Sequence, residues 1–439
     1  MIAAAGGPTA AADAARGPRL AGALVLAIVA SALATFGVRA ADPSLPDPLL
    51  TRQWALTNIG AASAWCASTG AGVTVAVVDS GADFTHPDLR GKLVAGAQFL
   101  GDIPPNGPPS AGPGDAAAVT DTDGHGTMIA GIIAADTGNG TGIAGIAPDA
   151  TILVVKVIGD QGTTTDADIA NAIRWAVDHG ALVVNVSLGP TDNLDTVDSD
   201  VPPAVEYAGS KDVNVTIAAG NAAFPRFNTY GPGDGALVVG ALARDDRLAS
   251  YSNSGGGIDV YAPGGDRPDG VTSTSLHGGY GSADGTSFAA PMAAGALALL
   301  RAKGESAASA RARILATAVT RNRLPELDAA AALGASGQSC AMPRTAVSVA
   351  ATAVPTVRPD AGAAPAPAAR TGPAALPAAP SGGGHALLVA GLTGAAVAGG
   401  AGWVGFLAWH RERRRRRVLA MMKRAATIGR STGDGDRRG

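Results

Sequence analysis

Three polar residues stand where the chain changes character, and their types together suit the making and breaking of an acyl bond. Asp79 follows the β-prone run 73–78, His125 opens a stretch that becomes apolar over 128–135, and Ser287 precedes the apolar run 292–300. A serine hydroxyl is a poor nucleophile until a base takes its proton. An imidazole does this near neutral pH and returns the proton to a leaving amine. A buried carboxylate fixes the tautomer of that imidazole and stabilises its charged form. Asn221, just after the run 213–219, offers a side-chain N–H donor. With the backbone N–H of Ser287 it would hold a carbonyl oxygen as negative charge develops there. Ser287 itself falls where a turn enters a helix, whose first N–H groups are unpaired and partly positive. Gly285, Ala289 and Ala290 leave room for an approaching backbone, and Pro291 is tolerated in a first helical turn.

Such side chains need a rigid frame. The run 73–78 is a continuous β-branched and small apolar stretch, as expected of a buried parallel strand. Runs 152–157, 182–189, 213–219, 236–241 and 258–261 read as further strands. Residues 128–135 and 166–179 read as helices, the second with Ile169, Ile173, Ala176 and Val177 at helical spacing and Gly180 behind it. This alternation predicts an α/β fold, a doubly wound and mostly parallel sheet with helices on both faces. Active groups in such sheets gather at the carboxyl ends of strands. Residues 42–65 read as an extended lead-in and 101–114 as a Pro/Gly-rich surface loop. Asp121 and Asp123 stand beside His125, where they could tune its pKa; the plainer reading is that they are solvated loop carboxylates. His86 reads as fixing the turn after the first strand.

Four short motifs carry a resemblance: 77–81 (VVDSG), 124–127 (GHGT), 218–221 (AAGN) and 285–291 (GTSFAAP). In this order and at these separations they resemble the subtilisin-like serine peptidases, over roughly residues 47–333. The resemblance implies that Asp79 orients, His125 acts as base and acid, Ser287 attacks and Asn221 stabilises the oxyanion. It implies that Ser187, Leu188 and Gly189 pair with a peptide or protein substrate, which lies as an added strand against an opposing edge around Gly162. The chemistry requires no cofactor. Asp47, Asp88, Asn139, Thr141 and Ile143 resemble a calcium site of calcium-dependent relatives, and hard oxygen donors suit that ion. The plainer alternative is that Asp88 caps a turn and the loop 136–143 is only a turn.

The ends read differently from the body. The net charge of −3 hides an asymmetry: residues 411–439 carry ten Arg and one Lys against one Glu and two Asp, or +8, leaving −11 on the rest. That distribution argues against nucleic-acid binding by the chain as a whole. Residues 1–40 read as a signal peptide, with Arg16 and Arg19 before an apolar run and a cleavage pattern at Val38-Arg39-Ala40; an uncleaved anchor is the alternative. The expected order is then a peptidase domain over 41–335, a disordered Ala/Pro-rich stalk over 336–385, a transmembrane helix over 386–409 and a basic cytoplasmic tail over 410–439. The span carries no charge and its length of about 24 residues suffices to cross a bilayer. The Arg run behind it places the tail inside and the body outside the cell membrane. In that setting Cys66 and Cys340 can form one disulfide; a buried Cys66 and a free Cys340 are the alternative. No inhibitory pro-domain is expected between residue 41 and the body. This layout resembles the mycosins, membrane-anchored subtilases of type VII secretion systems. It implies a membrane location and a type VII secretion membrane complex as partner, either as an active endopeptidase or as a structural component for which proteolysis is dispensable.

Overall fold

A computed structural model of the chain describes residues 47–101, 103–188, 199–225, 235–338 and 340. The expected signal peptide, nearly all of the stalk, the span at 386–409 and the basic tail lie outside the described residues, as does Gly189. Among the described residues, no helix is long and apolar enough to cross a membrane.

The leading segment is helical, not extended as its sequence suggested. A 3-10 turn at Leu50–Arg52 runs into α1 (Trp54–Asn58) and α2 (Ala61–Ala64). Ala55, Leu56, Ile59, Ala61, Ala64 and Trp65 are all buried. Their spacing of three and four residues needs helical turns to bring them to one side.

The sheet contains β1 (Thr74–Asp79), β2 (Leu93–Gln98), β3 (Thr151–Lys156), β4 (Val183–Val186), β5 (Asn214–Ala218), β6 (Ala236–Leu242) and β7 (Val260–Pro263). A separate antiparallel pair, β8 (Val271–Ser275) and β9 (Gly279–Ala283), follows. Then β10 (Val319–Arg321) and β11 (Leu324–Glu326) add a hairpin to the main sheet. The order is β10-β11-β7-β6-β5-β4-β1-β3-β2, parallel everywhere except between β10 and β11. From β1 the chain winds through β2 and β3 to one side, then through β4 to β7 on the other. The winding reverses beside β1, so the carboxyl end of that strand borders the crevice where such sheets place their sites.

Alternation along β1 builds two cores. Val75 and Val77 join one apolar cluster, with residues of α3 (His125–Ala134) and α6 (Thr286–Arg301). Ala76 and Val78 join the other, with α4 (Asp166–Asp178) and α5 (Val201–Ser210). Every residue of α6 except Ser287 is buried. Such a helix is held by packing on all sides, and the one position that is only half-buried is its second residue. After α7 (Ala307–Thr317) and the β10–β11 hairpin, α8 (Ala329–Ala332) closes against α2.

The body continues past residue 335, where a stalk was expected to start. Ser63 Oγ donates to the Gln338 carbonyl (2.7 Å), and Cys66 is joined to Cys340 by a disulfide with a Cα–Cα distance of 5.5 Å. The bridge spans 274 residues of sequence. Closing so long a loop restricts the unfolded chain strongly.

Candidate active site

The last residue of β1 is Asp79, fully buried. Its Oδ1 accepts the Ser80 N–H (2.7 Å) and faces His125 Nδ1 at 2.8 Å. That contact puts the imidazole proton on Nδ1 and leaves Nε2 as an acceptor. Asp79 Oδ2 is buried with no hydrogen-bond partner, so the carboxylate's charge is directed largely at the imidazole. His125 is the first residue of α3, after Gly124 in a left-handed conformation (φ 101°). A Cβ on Gly126 would stand 2.2 Å from the Gly81 carbonyl oxygen. Glycine at 126 is what lets the helix start close enough for the histidine to reach the strand end. Burial alone would push the His125 imidazole down. The charge and hydrogen bond of Asp79, with Asp123 and Asp121 beyond, outweigh this and hold it above its ordinary value of 6.5.

Ser287 lies in the first turn of α6. Its carbonyl accepts the Ser187 hydroxyl (2.8 Å) at the end of a buried relay: Thr216 Oγ1 donates to Asn185 Oδ1 (2.9 Å), and Asn185 Nδ2 donates to Ser187 Oγ (2.8 Å). Two strand residues, acting through Ser187 just past β4, thus fix the backbone of Ser287. The His125 ring packs edge-on against Phe288, the next residue, with centroids 5.6 Å apart. Asp79 and His125 are therefore in direct contact, and the first turn of α6 is beside them. No hydrogen bond yet joins the Ser287 hydroxyl to the imidazole; contacts of this kind are often long without substrate and tighten when it binds.

Asn221 is exposed just beyond β5. Its Oδ1 accepts both the N–H (2.9 Å) and the hydroxyl (2.8 Å) of Thr286, whose Oγ1 in turn accepts the Gly220 N–H (3.0 Å). With the amide oxygen held, Nδ2 is the end without a partner among the described residues, on the side of Gly285 and the start of α6. Ser187 and Leu188 follow β4, but the Ser187 side chain is turned inward to Ser287. Gly162 lies in the loop after β3 with φ 65°, and that loop starts with Val157 N–H on the Asp79 carbonyl (2.8 Å).

Two polar residues here were not legible in the sequence. Asp121, expected to be solvated, is buried. Its Oδ1 accepts from Ser80 Oγ (2.9 Å) and the N–H groups of Asp123 and Gly124; its Oδ2 accepts from the N–H and hydroxyl of Thr127. One carboxylate thus ties the residue after Asp79 to the first turn of α3. Burial opposes its ionisation, but these bonds hold its pKa below the usual carboxylate range. Lys156, buried and in register with Asp79 across the β1–β3 pair, donates to the carbonyls of Ser80 (2.6 Å) and Thr120 (3.1 Å). Asp123 is exposed, as expected.

The calcium residues converge on one corner. Asp47 accepts the N–H groups of Gly138, Asn139 and Gly140 (2.9–3.2 Å). Asp88, inside a 3-10 turn capped by His86, accepts from Ile143 N–H (2.9 Å) and Asn139 Nδ2 (3.3 Å). Both carboxylates are buried, and neither has an ion-pair partner among the described residues. Burial pushes Asp88 up to about 6, with the charge of Asp47 adding to the shift, and pushes Asp47 above its ordinary value, with the charge of Asp136 adding there. Two adjacent buried carboxylates without a cationic partner among the described residues suit a hard cation, and the oxygens of Asn139, Thr141 and Ile143 on the same loop would be the further donors it needs. No group of three or more His, Cys, Asp or Glu side chains suited to a metal occurs among the described residues; this set depends on amide and carbonyl oxygens as well. Calcium here would tie the leading segment to the loop 136–143 and would take no part in the reaction. Calcium at a hundredfold excess over its Kd is expected to add about 2.7 kcal/mol, or roughly 5–10 °C in the unfolding temperature. Calorimetry with calcium against chelator measures it, and identical curves would exclude a cation at this corner.

An imidazole held by a buried carboxylate, a serine in the first turn of a buried helix and an amide donor nearby, at the crevice of a doubly wound sheet, define the class of serine hydrolases that cleave acyl bonds. The profile of the Subtilase family, Peptidase S8, matches residues 70–338. Thermitase of Thermoactinomyces vulgaris is 39% identical over 275 residues, 62% of this chain and 90% of that protein. Subtilisin Savinase of Lederbergia lenta is 37% identical over 254 residues, 58% of this chain and 85% of that protein. Among solved structures, a protease from Pseudoalteromonas arctica aligns with a TM-score of 0.58 and 31% identity, covering 66% of this chain and 99% of that one. The chain belongs to the subtilase family, and it is a subtilisin-like serine endopeptidase. Subtilisins need no cofactor for catalysis, and structural calcium is common in subtilases such as thermitase.

Proposed function

We propose that Ser287 is the nucleophile, His125 the general base and acid, Asp79 the residue that orients and stabilises the imidazole, and Asn221 a donor of the oxyanion hole. The observation that carries this is the contact of His125 Nδ1 with buried Asp79, made beside the first turn of α6. Ser287 Oγ attacks the scissile carbonyl carbon as its proton passes to His125 Nε2. The carbonyl oxygen takes the electron pair and is held by Asn221 Nδ2 and the Ser287 N–H. When the tetrahedral intermediate collapses, the C–N bond breaks and the proton on Nε2 goes to the leaving amine. A water then repeats the attack on the acyl-enzyme through the same base.

Only the neutral imidazole can take the serine proton. The raised pKa of His125 therefore sets the acid limb of kcat/KM above pH 6.5, with activity falling as the pH drops through that value. A pH profile with its acid midpoint below 6.5 would contradict the assignment.

The wider role rests on the sequence beyond the body. The uncharged apolar run 386–409, followed at once by His410 and a cluster of Arg, supports a single-pass anchor with the catalytic domain outside and the tail in the cytoplasm. The order of signal peptide, catalytic body, Ala/Pro-rich stalk, span and basic tail supports a mycosin-like endopeptidase working with a type VII secretion complex. A membrane-impermeant fluorophosphonate applied to intact cells should label the protein in the membrane fraction. Truncation before residue 386 should release the labelled protein. Labelling that requires lysis would overturn the topology. If the Ser287→Ala chain restores secretion to a deletion strain, the role in the complex is structural and proteolysis is dispensable to it.

A further inference from the structure

We propose that Asn253 is the positioning residue of the oxyanion hole, acting through Asn221. The inference rests on the assignment of Asn221 made above. Asn253 is a buried amide on the segment 251–254, and no step of the reaction uses it. Its side chain brackets Asn221 from both sides. Nδ2 donates to the Ala219 carbonyl (2.7 Å), two residues before Asn221, and Oδ1 accepts the N–H groups of Ala222 (3.2 Å) and Phe224 (3.0 Å), just after it. Its own N–H donates to the Gly220 carbonyl (3.0 Å), and Ala223 N–H and the Phe224 carbonyl pair with Tyr251 and Ser254 on the same segment (2.8 Å each).

The held turn does not follow from local preference. Gly220 has φ 97° and Ala223 has φ 54°. A non-glycine residue in this region is disfavoured and persists where its surroundings over-determine it. Gly220 is further constrained, because a Cβ there would lie 2.6 Å from Asn253 Nδ2. The turn that aims the Asn221 amide is thus moulded onto the Asn253 side chain. Thr286 holds the oxygen of that amide and the Gly220 N–H; the rest of the backbone around Asn221, at Ala219, Ala222 and Phe224, is held by the Asn253 side chain.

A residue that acts this way affects the transition state more than substrate binding. Asn253→Ala is expected to lower kcat by about 10- to 100-fold with KM nearly unchanged, less than the roughly 10²–10³ lost with the donor itself in Asn221→Ala. A peptide aldehyde, which forms the tetrahedral adduct, should lose affinity by the same factor as kcat/KM. The decisive comparison is the double variant. In the Asn221→Ala background, Asn253→Ala should cost less than about 3-fold, because the group it positions is gone. Asn253→Asp keeps the acceptor for Ala222 and Phe224 and sets its second oxygen against the Ala219 carbonyl, a contact the carboxyl makes only in its protonated, donating form. It should retain more activity than Asn253→Ala, and it carries the same cycle if the alanine variant folds poorly. Circular dichroism confirms that each variant compared is folded. An unchanged kcat in Asn253→Ala, or a full and independent loss in the double variant, overturns the proposal while leaving Asn221 in place. An unchanged kcat in Asn221→Ala alone overturns the assignment on which it rests.

Discussion

Replacing Ser287 with alanine should abolish peptide cleavage and leave the fold intact. The hydroxyl makes no hydrogen bond among the described residues, and the side chain is the only one on α6 that is not buried. Alanine is also the best helix former. The unfolding free energy should therefore stay within about 0.5 kcal/mol of wild type. Turnover should fall by roughly 10⁶-fold, the size of loss this family shows when its nucleophile is removed. Steady-state hydrolysis of a peptide substrate and a thermal melt on one preparation test both parts. Loss of activity together with loss of the melt would give Ser287 a structural role, and unchanged cleavage would move the nucleophile elsewhere.

The Asp79→Asn variant should lose about 10⁴-fold in kcat, again the scale known for triads of this kind. The amide keeps the shape of the carboxylate but takes away the charge that stabilises the protonated imidazole, and an NH2 end turned to His125 Nδ1 would force the proton to Nε2. Asp79 is the largest influence keeping the imidazole above 6.5 against burial. The acid limb should thus move to lower pH as activity falls. Stability should not fall in step, because Asp79 Oδ2 is buried without a partner and a neutral amide costs less to desolvate than a carboxylate. A variant that keeps wild-type kcat, or keeps the acid limb in place, would contradict the role given to Asp79.

Much of this site was readable in advance, for a physical reason. Asp79 and Asn221 sit where β-prone runs stop and His125 and Ser287 where apolar helical runs begin, and a sheet of this type puts such junctions at one edge. The strands were legible as runs of Val, Ile and Ala because they are buried on both faces. What was missed depends on contacts distant in sequence. Asp121 is separated from His125 by Thr122, Asp123 and Gly124, as any loop carboxylate might be arranged. Its burial comes from Ser80 and Thr127 closing around it, which no local pattern announces. The lead-in reads as extended in the sequence because α1 and α2 are each too short to show a helical period. They are held by tertiary packing and not by propensity. The β8–β9 pair, rich in Ser, Thr and Gly, lacks an apolar alternation. Its registration comes from Ser273 and Thr274 donating to the carbonyls of Met128 and Thr127 on α3. Asn253 lies in a Ser/Gly-rich turn, and its meaning depends on a segment some thirty residues earlier in the chain.

The central claim is that Asp79, His125 and Ser287, remote in sequence, act as one unit to make the Ser287 hydroxyl nucleophilic. A fluorophosphonate reacts with a serine only when it is activated in this way. The purified protein, incubated with such a probe and digested for mass spectrometry, should carry the adduct on Ser287. Labelling should vanish in Ser287→Ala and slow by orders of magnitude in Asp79→Asn. An adduct on another residue, or equal labelling of wild type and Ser287→Ala, would contradict the account.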